Sequence, residues 1–175
     1  MAYKDLRDFV NLLEKKGLLK RIRVEVDPIL EISEITDRMC KSQKGGKALF
    51  FEKVKGSQYP VVTNLFGSFE RMCLALKVEK LDDVARRIEE LLTQAPPKTL
   101  MEKLSMLPQL FELSKCLPKM VKNAPCQEII EKDNPDLSRF PIIKCWPGDG
   151  QPTDEGRFIT LPMVFTKAPE TGIQN

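Results

Sequence analysis

The chain has 175 residues, 42% of them apolar, with 28 Lys and Arg against 25 Asp and Glu and no histidine. Its length and apolar content allow one domain, or one small domain plus part of another. The net charge of +3, spread along the chain, does not mark a nucleic-acid surface. The lack of histidine excludes a Ser-His-Asp or Cys-His nucleophile pair and any histidine-ligated metal centre built from this chain alone.

Five cysteines (Cys40, Cys73, Cys116, Cys126, Cys145) form an odd set without CxxC spacing. That speaks against a disulfide framework and a zinc site, and reads as reduced thiols. No apolar run approaches the roughly 18 to 20 residues that span a bilayer, and charges interrupt the first ten residues, where a signal peptide needs an apolar block. These features read as a cytoplasmic protein.

From Asp5 to Lys16, Leu6, Phe9, Val10 and Leu13 share a helical face, with acids at the start, lysines at the end and Gly17 as the stop. Lys20 to Val26 alternates Ile22, Val24 and Val26 with charged residues, the pattern of a strand with one solvated face. Asp27-Pro28 breaks that strand, and proline suits the first turn of a helix running from Ile29 to about Ser42 and ended by Gly45-Gly46. Ala48 to Val54 and Pro60 to Asn64 read as short strands around the turn Lys55-Gly56-Ser57. Ser68 caps a short helix through Leu76, and Leu81, Val84, Ile88 and Leu91 align along a further helix from Leu81 to Thr93.

Residues 1–94 therefore read as an α/β domain. Ala95-Pro96-Pro97 marks its boundary, and 95–124 reads as a connector, because Pro108 and Pro118 break the helical leucine spacing of Thr99 to Lys122. Gln127 to Glu131 reads as a short strand, and Asp133 to Asp136 as a turn. The stretch from Leu137 to Asn175 then holds the only tryptophan, Trp146, a turn-dense loop from Pro147 to Gly156, and the best strand of this half, Phe158 to Thr166. Such a strand needs partners for its N–H and C=O groups, so 125–175 reads as the opening of a β domain that is cut short.

Several residues are candidates for chemistry. Thr63 to Ser68 forms a strand-to-helix turn that either holds an anion on its N–H groups or is a plain loop. Asp149, Asp154 and Glu155 share a loop but lack the alternating spacing of a calcium site, so they read as solvated acids. Cys145 is either a reactive thiol or a packed one, and Trp146 either lines an aromatic pocket or anchors a core. Thr160 is a polar residue inside an apolar run, and Pro162 places that run at an edge or bulge, where ligands approach.

The segments DLRDFVNLLEKKGLLKRI, VEVDPILEISEITDR, ALFFEKVKGS, PVVTNLFGSFERMCLAL, FPIIKCWPGDG and RFITLPMVFTKAPETGIQN occur in that order, and together they resemble the UbiD family of decarboxylases. The resemblance implies an α/β (α+β) fold: residues 1–94 as the N-terminal α/β domain, followed by the first strands of a flavin-reductase-like split β-barrel in 125–175. It implies non-oxidative decarboxylation of an aromatic or α,β-unsaturated acid, such as 3-polyprenyl-4-hydroxybenzoate of ubiquinone synthesis. The cofactors would be prenylated FMN from a flavin prenyltransferase, with manganese and potassium at its phosphate.

On this resemblance Asn175 matches the first manganese ligand and Thr160 borders the cofactor. The other metal ligands, the catalytic arginine and its acidic partners would lie beyond residue 175, so no catalytic residue is assigned. One neutral oxygen does not hold manganese, and the chain alone is expected to be inactive. The implied full-length protein is a cytoplasmic homo-oligomer, free or peripheral at the inner membrane. The loop from Gln151 to Gly156 departs from the family in length. Two other readings stand beside this one: an interaction module that associates with a full-length decarboxylase subunit, and a generic flavin-binding domain.

Overall fold

A computed structural model describes residues 3–93, 99–114, 121–150, 156–161 and 163–174. The chain divides into two units, Met1–Lys77 with Leu137–Asn175, and Val78–Asp136.

In the first unit, helix α1 (Leu6–Lys15) begins at a reciprocal cap. Asp5 accepts from the Asp8 N–H at 3.0 Å, and the Asp8 carboxylate accepts from the Lys4 N–H at 3.1 Å, so acidic side chains satisfy donors that a helix start leaves open. Gly17, at φ +70°, ends it. Strand β1 (Leu19–Val26) lies parallel to β2 (Ala48–Val54), which pairs antiparallel with β3 (Val61–Thr63), giving the order β1-β2-β3. Parallel neighbours need a long crossover, and α2 (Glu31–Cys40) provides it.

Both faces of the central strand are covered. Ala48 and Phe50 pack with Phe9, Val10 and Leu13 of α1, and with Leu74 and Ala75 of α3 (Phe69–Leu76). Leu49 and Phe51 pack with Ile32 and Ile35 of α2. Burial on two sides is why β2 opens with four apolar residues in succession, Ala48 to Phe51, rather than alternating.

Two details depart from the sequence pattern. Ile22 pairs with Phe51 but Glu25 with Lys53, so β1 carries one residue more than its partner at this point. This bulge resets the alternation and leaves Val24 69% exposed. The second helix starts at Glu31 rather than Ile29, because Leu30 takes φ +67° and Ile29 pairs with Lys144. Pro28 therefore precedes the helix and accepts from the Lys144 N–H through its carbonyl at 3.0 Å.

Asp27 ties this turn to β2. Lys55 donates to its carboxylate at 2.9 Å and the Ile29 N–H donates at 2.9 Å, and these bonds, the lysine first, hold the carboxyl below its usual range. A carboxyl that is more acidic folded than unfolded stabilises the fold above its unfolded pKa, about 3.9. That contribution is lost as pH falls through the folded value. The difference in urea midpoint between wild type and Lys55→Met is thus expected to be small but present at neutral pH, and to close below about pH 4. A gap that persists into acid would refute the pairing.

The second unit holds α4 (Asp82–Thr93), α5 (Leu100–Ser105), α6 (Leu107–Ser114) and a 3-10 turn at Pro125–Gln127. The expected break falls at Met106, with Pro108 in the first turn of α6, where a missing N–H is tolerated. None of its described residues is buried. The strand expected at Gln127 to Glu131 does not form; a 3-10 turn, a bend and irregular backbone take its place. Ala95-Pro96-Pro97 and Pro118 lie outside the described residues. Among the described residues no helix is long and apolar enough to cross a membrane.

The strand expected from Phe158 to Thr166 is also absent: 156–161 and 163–166 join no ladder, and the nearest pairing is the bridge Lys167↔Gln174. Strand-forming residues make a strand only where a neighbouring backbone extends the pairing into a ladder. Pro162 lies outside the described residues.

Candidate functional site

The returning stretch after Leu137 is fastened to the first unit at several points. Ser57 donates to the Arg139 carbonyl at 2.8 Å, and the Tyr59 and Phe140 rings stack with centroids 5.2 Å apart. The Lys144 carbonyl accepts from the Leu30 N–H and the Ser33 hydroxyl, each at 3.1 Å. Arg157 donates to the Ile142 carbonyl at 2.9 Å. These contacts run the stretch along the start of α2 and enclose a cleft of about 1060 Å³.

One wall of the cleft comes from α2, through Thr36 and Cys40. The second is β3 with its exit loop, Thr63 to Gly67, and the third includes Phe140, Trp146, Phe158 and Thr160. Thr36 and Thr63 share a hydroxyl hydrogen bond of 2.8 Å, a neutral polar spot within a largely apolar lining. The charges on α2 pair with one another: Arg38 donates to Glu34 at 2.7 Å, and Lys41 to Asp37 at 2.5 Å, which raises the Lys41 pKa.

The exit loop is held by a clasp. Asn64, at φ +54°, donates through its amide to the carbonyls of Gly45 at 2.8 Å and Lys47 at 2.9 Å. Arg71, only 1% exposed, donates to the carbonyls of Leu65 at 3.1 Å, Gly46 at 2.5 Å and Gly45 at 3.4 Å. Burial lowers its pKa from the usual guanidinium value. Ser68 caps α3 by accepting from the Arg71 N–H. The side-chain donors of this turn are thus committed to protein carbonyls. Sequence reasoning passed over Arg71, although a signal was there: an arginine on the same helical stripe as Leu74 and Ala75.

Other candidates resolve individually. Trp146 is 72% exposed at the cleft, so it does not anchor a core. Asp149 accepts from the N–H groups of Cys145 at 3.0 Å and Trp146 at 2.9 Å, which makes it the cap of a turn. Cys145 is half-buried beside it. Thr160 lines the cleft, whereas Asn175, Asp154 and Glu155 lie outside the described residues. Among the described residues no three His, Cys, Asp or Glu groups converge on a metal position. The cleft is near the size of common ligand clefts, about 300–1,000 Å³ with apolar and aromatic walls.

Layered helices on a small mixed sheet define the class as a mixed α/β fold. The sequence matches the 3-octaprenyl-4-hydroxybenzoate carboxy-lyase N-terminal domain over residues 10–92 and the Rift-related domain of the same family over residues 119–175. The chain belongs to the UbiD family.

It is 47% identical to an uncharacterized protein of Aquifex aeolicus, with 99% of this chain matching 35% of that one. It is 46% identical to an uncharacterized protein of Archaeoglobus fulgidus, with 100% of this chain matching 34% of that one. Among solved structures it resembles the UbiD-class enzyme HmfF from Pelotomaculum thermopropionicum, in an evolved dimeric form in complex with prFMN. That likeness has a TM-score of 0.67 at 29% identity, over 97% of this chain and 33% of that one. It also resembles the vanillic acid decarboxylase of Sedimentibacter hydroxybenzoicus, with a TM-score of 0.61 at 29% identity, over 86% of this chain and 29% of that one. The chain spans about a third of the length of the relatives it matches.

Proposed function

We propose that this chain supplies one wall of the cofactor site of a prenylated-FMN-dependent carboxy-lyase that decarboxylates an aromatic or α,β-unsaturated acid such as 3-polyprenyl-4-hydroxybenzoate. The observation that carries the reading is that Thr160 and the aromatic residues Trp146 and Phe158 line one cleft of cofactor size in a UbiD-family chain. When bound, prenylated FMN supplies an electron sink for the carbanion-like charge left as carbon dioxide departs. The protein's part is to orient and to exclude water: Trp146 and Phe158 give an apolar wall, and the Thr160 hydroxyl gives one hydrogen bond. Asn175 contributes a single neutral oxygen toward manganese, and the histidine ligand that the family pattern calls for has no counterpart in these 175 residues. The 175 residues alone are accordingly inactive.

The test joins this chain to the part of the Aquifex aeolicus relative that has no counterpart here, co-expressed with a flavin prenyltransferase. The joined protein is expected to carry prenylated FMN and to bind manganese. Thr160→Val is expected to weaken flavin binding about fivefold to tenfold, the size of one hydrogen bond. Asn175→Ala is expected to remove manganese binding while leaving circular dichroism unchanged. A folded joined protein that binds neither group overturns the reading. Plain FMN held by the 175 residues alone would favour a generic flavin-binding domain.

A further inference from the structure

The cleft walls from α2 and β3 meet at a pair of hydroxyls. Thr36 and Thr63 are both half-buried there, with their oxygens 2.8 Å apart. Each hydroxyl carries one hydrogen and two lone pairs. Only one of the two hydrogens is used between them, and among the described residues neither oxygen has another partner. The pair therefore keeps one O–H to donate and lone pairs to accept, in a lining that also includes Val61, Val62 and Leu65. In such apolar surroundings a hydrogen bond to a ligand is strengthened, and a ligand polar group left without one is penalised.

Charge restricts what this wall can receive. The charged residues lining the cleft, Glu34, Asp37 and Lys41, all come from α2. Lys41 is paired with Asp37, and Glu34 with Arg38, so among the described residues the lining offers no unpaired cation. A carboxylate brought against this wall would give up water without gaining a counter-ion, whereas a neutral hydroxyl would find a partner in the threonine pair. We infer that Thr36 and Thr63 form a subsite for an uncharged ring hydroxyl of the aromatic acid, and of the phenol left after its decarboxylation. The carboxylate end then faces away from α2, toward the wall of Trp146 and Thr160. This rests on the decarboxylase reading above for the reaction, but the subsite is built from this chain alone. Holding the hydroxyl end fixes which end of the ring is presented for loss of carbon dioxide, and it disfavours acids that lack the hydroxyl.

Equilibrium dialysis of the 175-residue chain against β-naphthol and against naphthalene tests the subsite. Thr36→Val with Thr63→Val removes both hydroxyls while keeping the side-chain shape, and it leaves neither partner orphaned, so the fold is expected to persist. This double variant is expected to bind β-naphthol about fivefold to tenfold more weakly, the size of one hydrogen bond, and naphthalene unchanged. Thr36→Ser with Thr63→Ser is expected to retain the preference for β-naphthol. The corresponding hydroxynaphthoate is expected to bind no more tightly than β-naphthol. Equal losses for the two ligands would show that the hydroxyls only tie α2 to β3. That result, β-naphthol binding untouched by the valines, a hydroxynaphthoate that binds more tightly than β-naphthol, or a wild-type chain that binds neither ligand would each overturn the inference. A joined protein that carries no flavin, alongside an intact preference for β-naphthol, would instead sink the functional reading and leave the subsite standing.

Discussion

Arg71→Ala is expected to lower the free energy of unfolding by about 4 kcal/mol, among the largest effects a single substitution here can have. The carbonyls of Leu65, Gly46 and Gly45 accept from this guanidinium, and without it those of Leu65 and Gly46 lose this donor while that of Gly45 keeps Asn64. A buried acceptor left without its donor costs roughly 1–3 kcal/mol. The lost side-chain volume adds a cavity, partly offset where water enters. Arg71→Lys is expected to recover less than half of the loss, because a single ammonium cannot span carbonyls that a planar fork reaches together. Denaturant titration with the slope held common to all variants checks both values. A loss below about 1 kcal/mol for Arg71→Ala would show that the clasp contributes little.

Gly45→Ala is expected to cost about 3 kcal/mol, and the reason is neighbourhood more than backbone. Gly45 sits at φ +77°, and Gly17 at φ +70°, so an alanine at either pays a similar left-handed penalty of roughly 1 kcal/mol. Nothing lies within 4 Å of a Cβ at Gly17, whereas one at Gly45 would sit 1.8 Å from the carbonyl oxygen of Gly67. The two loops must part. Doing so pulls the Gly45 carbonyl from both Asn64 and Arg71. The comparison with Gly17→Ala therefore isolates the steric part. Combining Gly45→Ala with Arg71→Ala should cost less than the sum of the two, because both dismantle the same clasp. Equal losses at Gly17 and Gly45 would refute the close approach.

The readable parts of this molecule are those whose cause is local. The α1 face of Phe9, Val10 and Leu13, the acids at its start and the stop at Gly17 lie within a dozen residues of one another and appear as expected, while Leu6, expected on the same face, is exposed. The same holds for the Ser68 cap of α3 and for the helix break ahead of Pro108. Thr160 and Trp146 were legible as residues of interest because each is out of place in its own stretch, a hydroxyl in an apolar run and a lone indole. Their meeting at one cleft depends on Lys144 pairing with Pro28 and Leu30, more than a hundred residues away, and no local pattern encodes that.

The amino-acid sequence by itself determined the order of the helices and sheet strands in the first 93 residues, the exclusion of histidine chemistry and the family, because periodicity, caps and motif order are carried by near neighbours along the chain. Tertiary structure alone decided the rest. It placed the bulge that turns Val24 outward, withheld a ladder from Phe158 to Thr166, exposed Trp146 and buried Arg71. Each of these depends on which distant backbone or side chain arrives to accept a hydrogen bond or exclude water, and that partner is chosen in three dimensions.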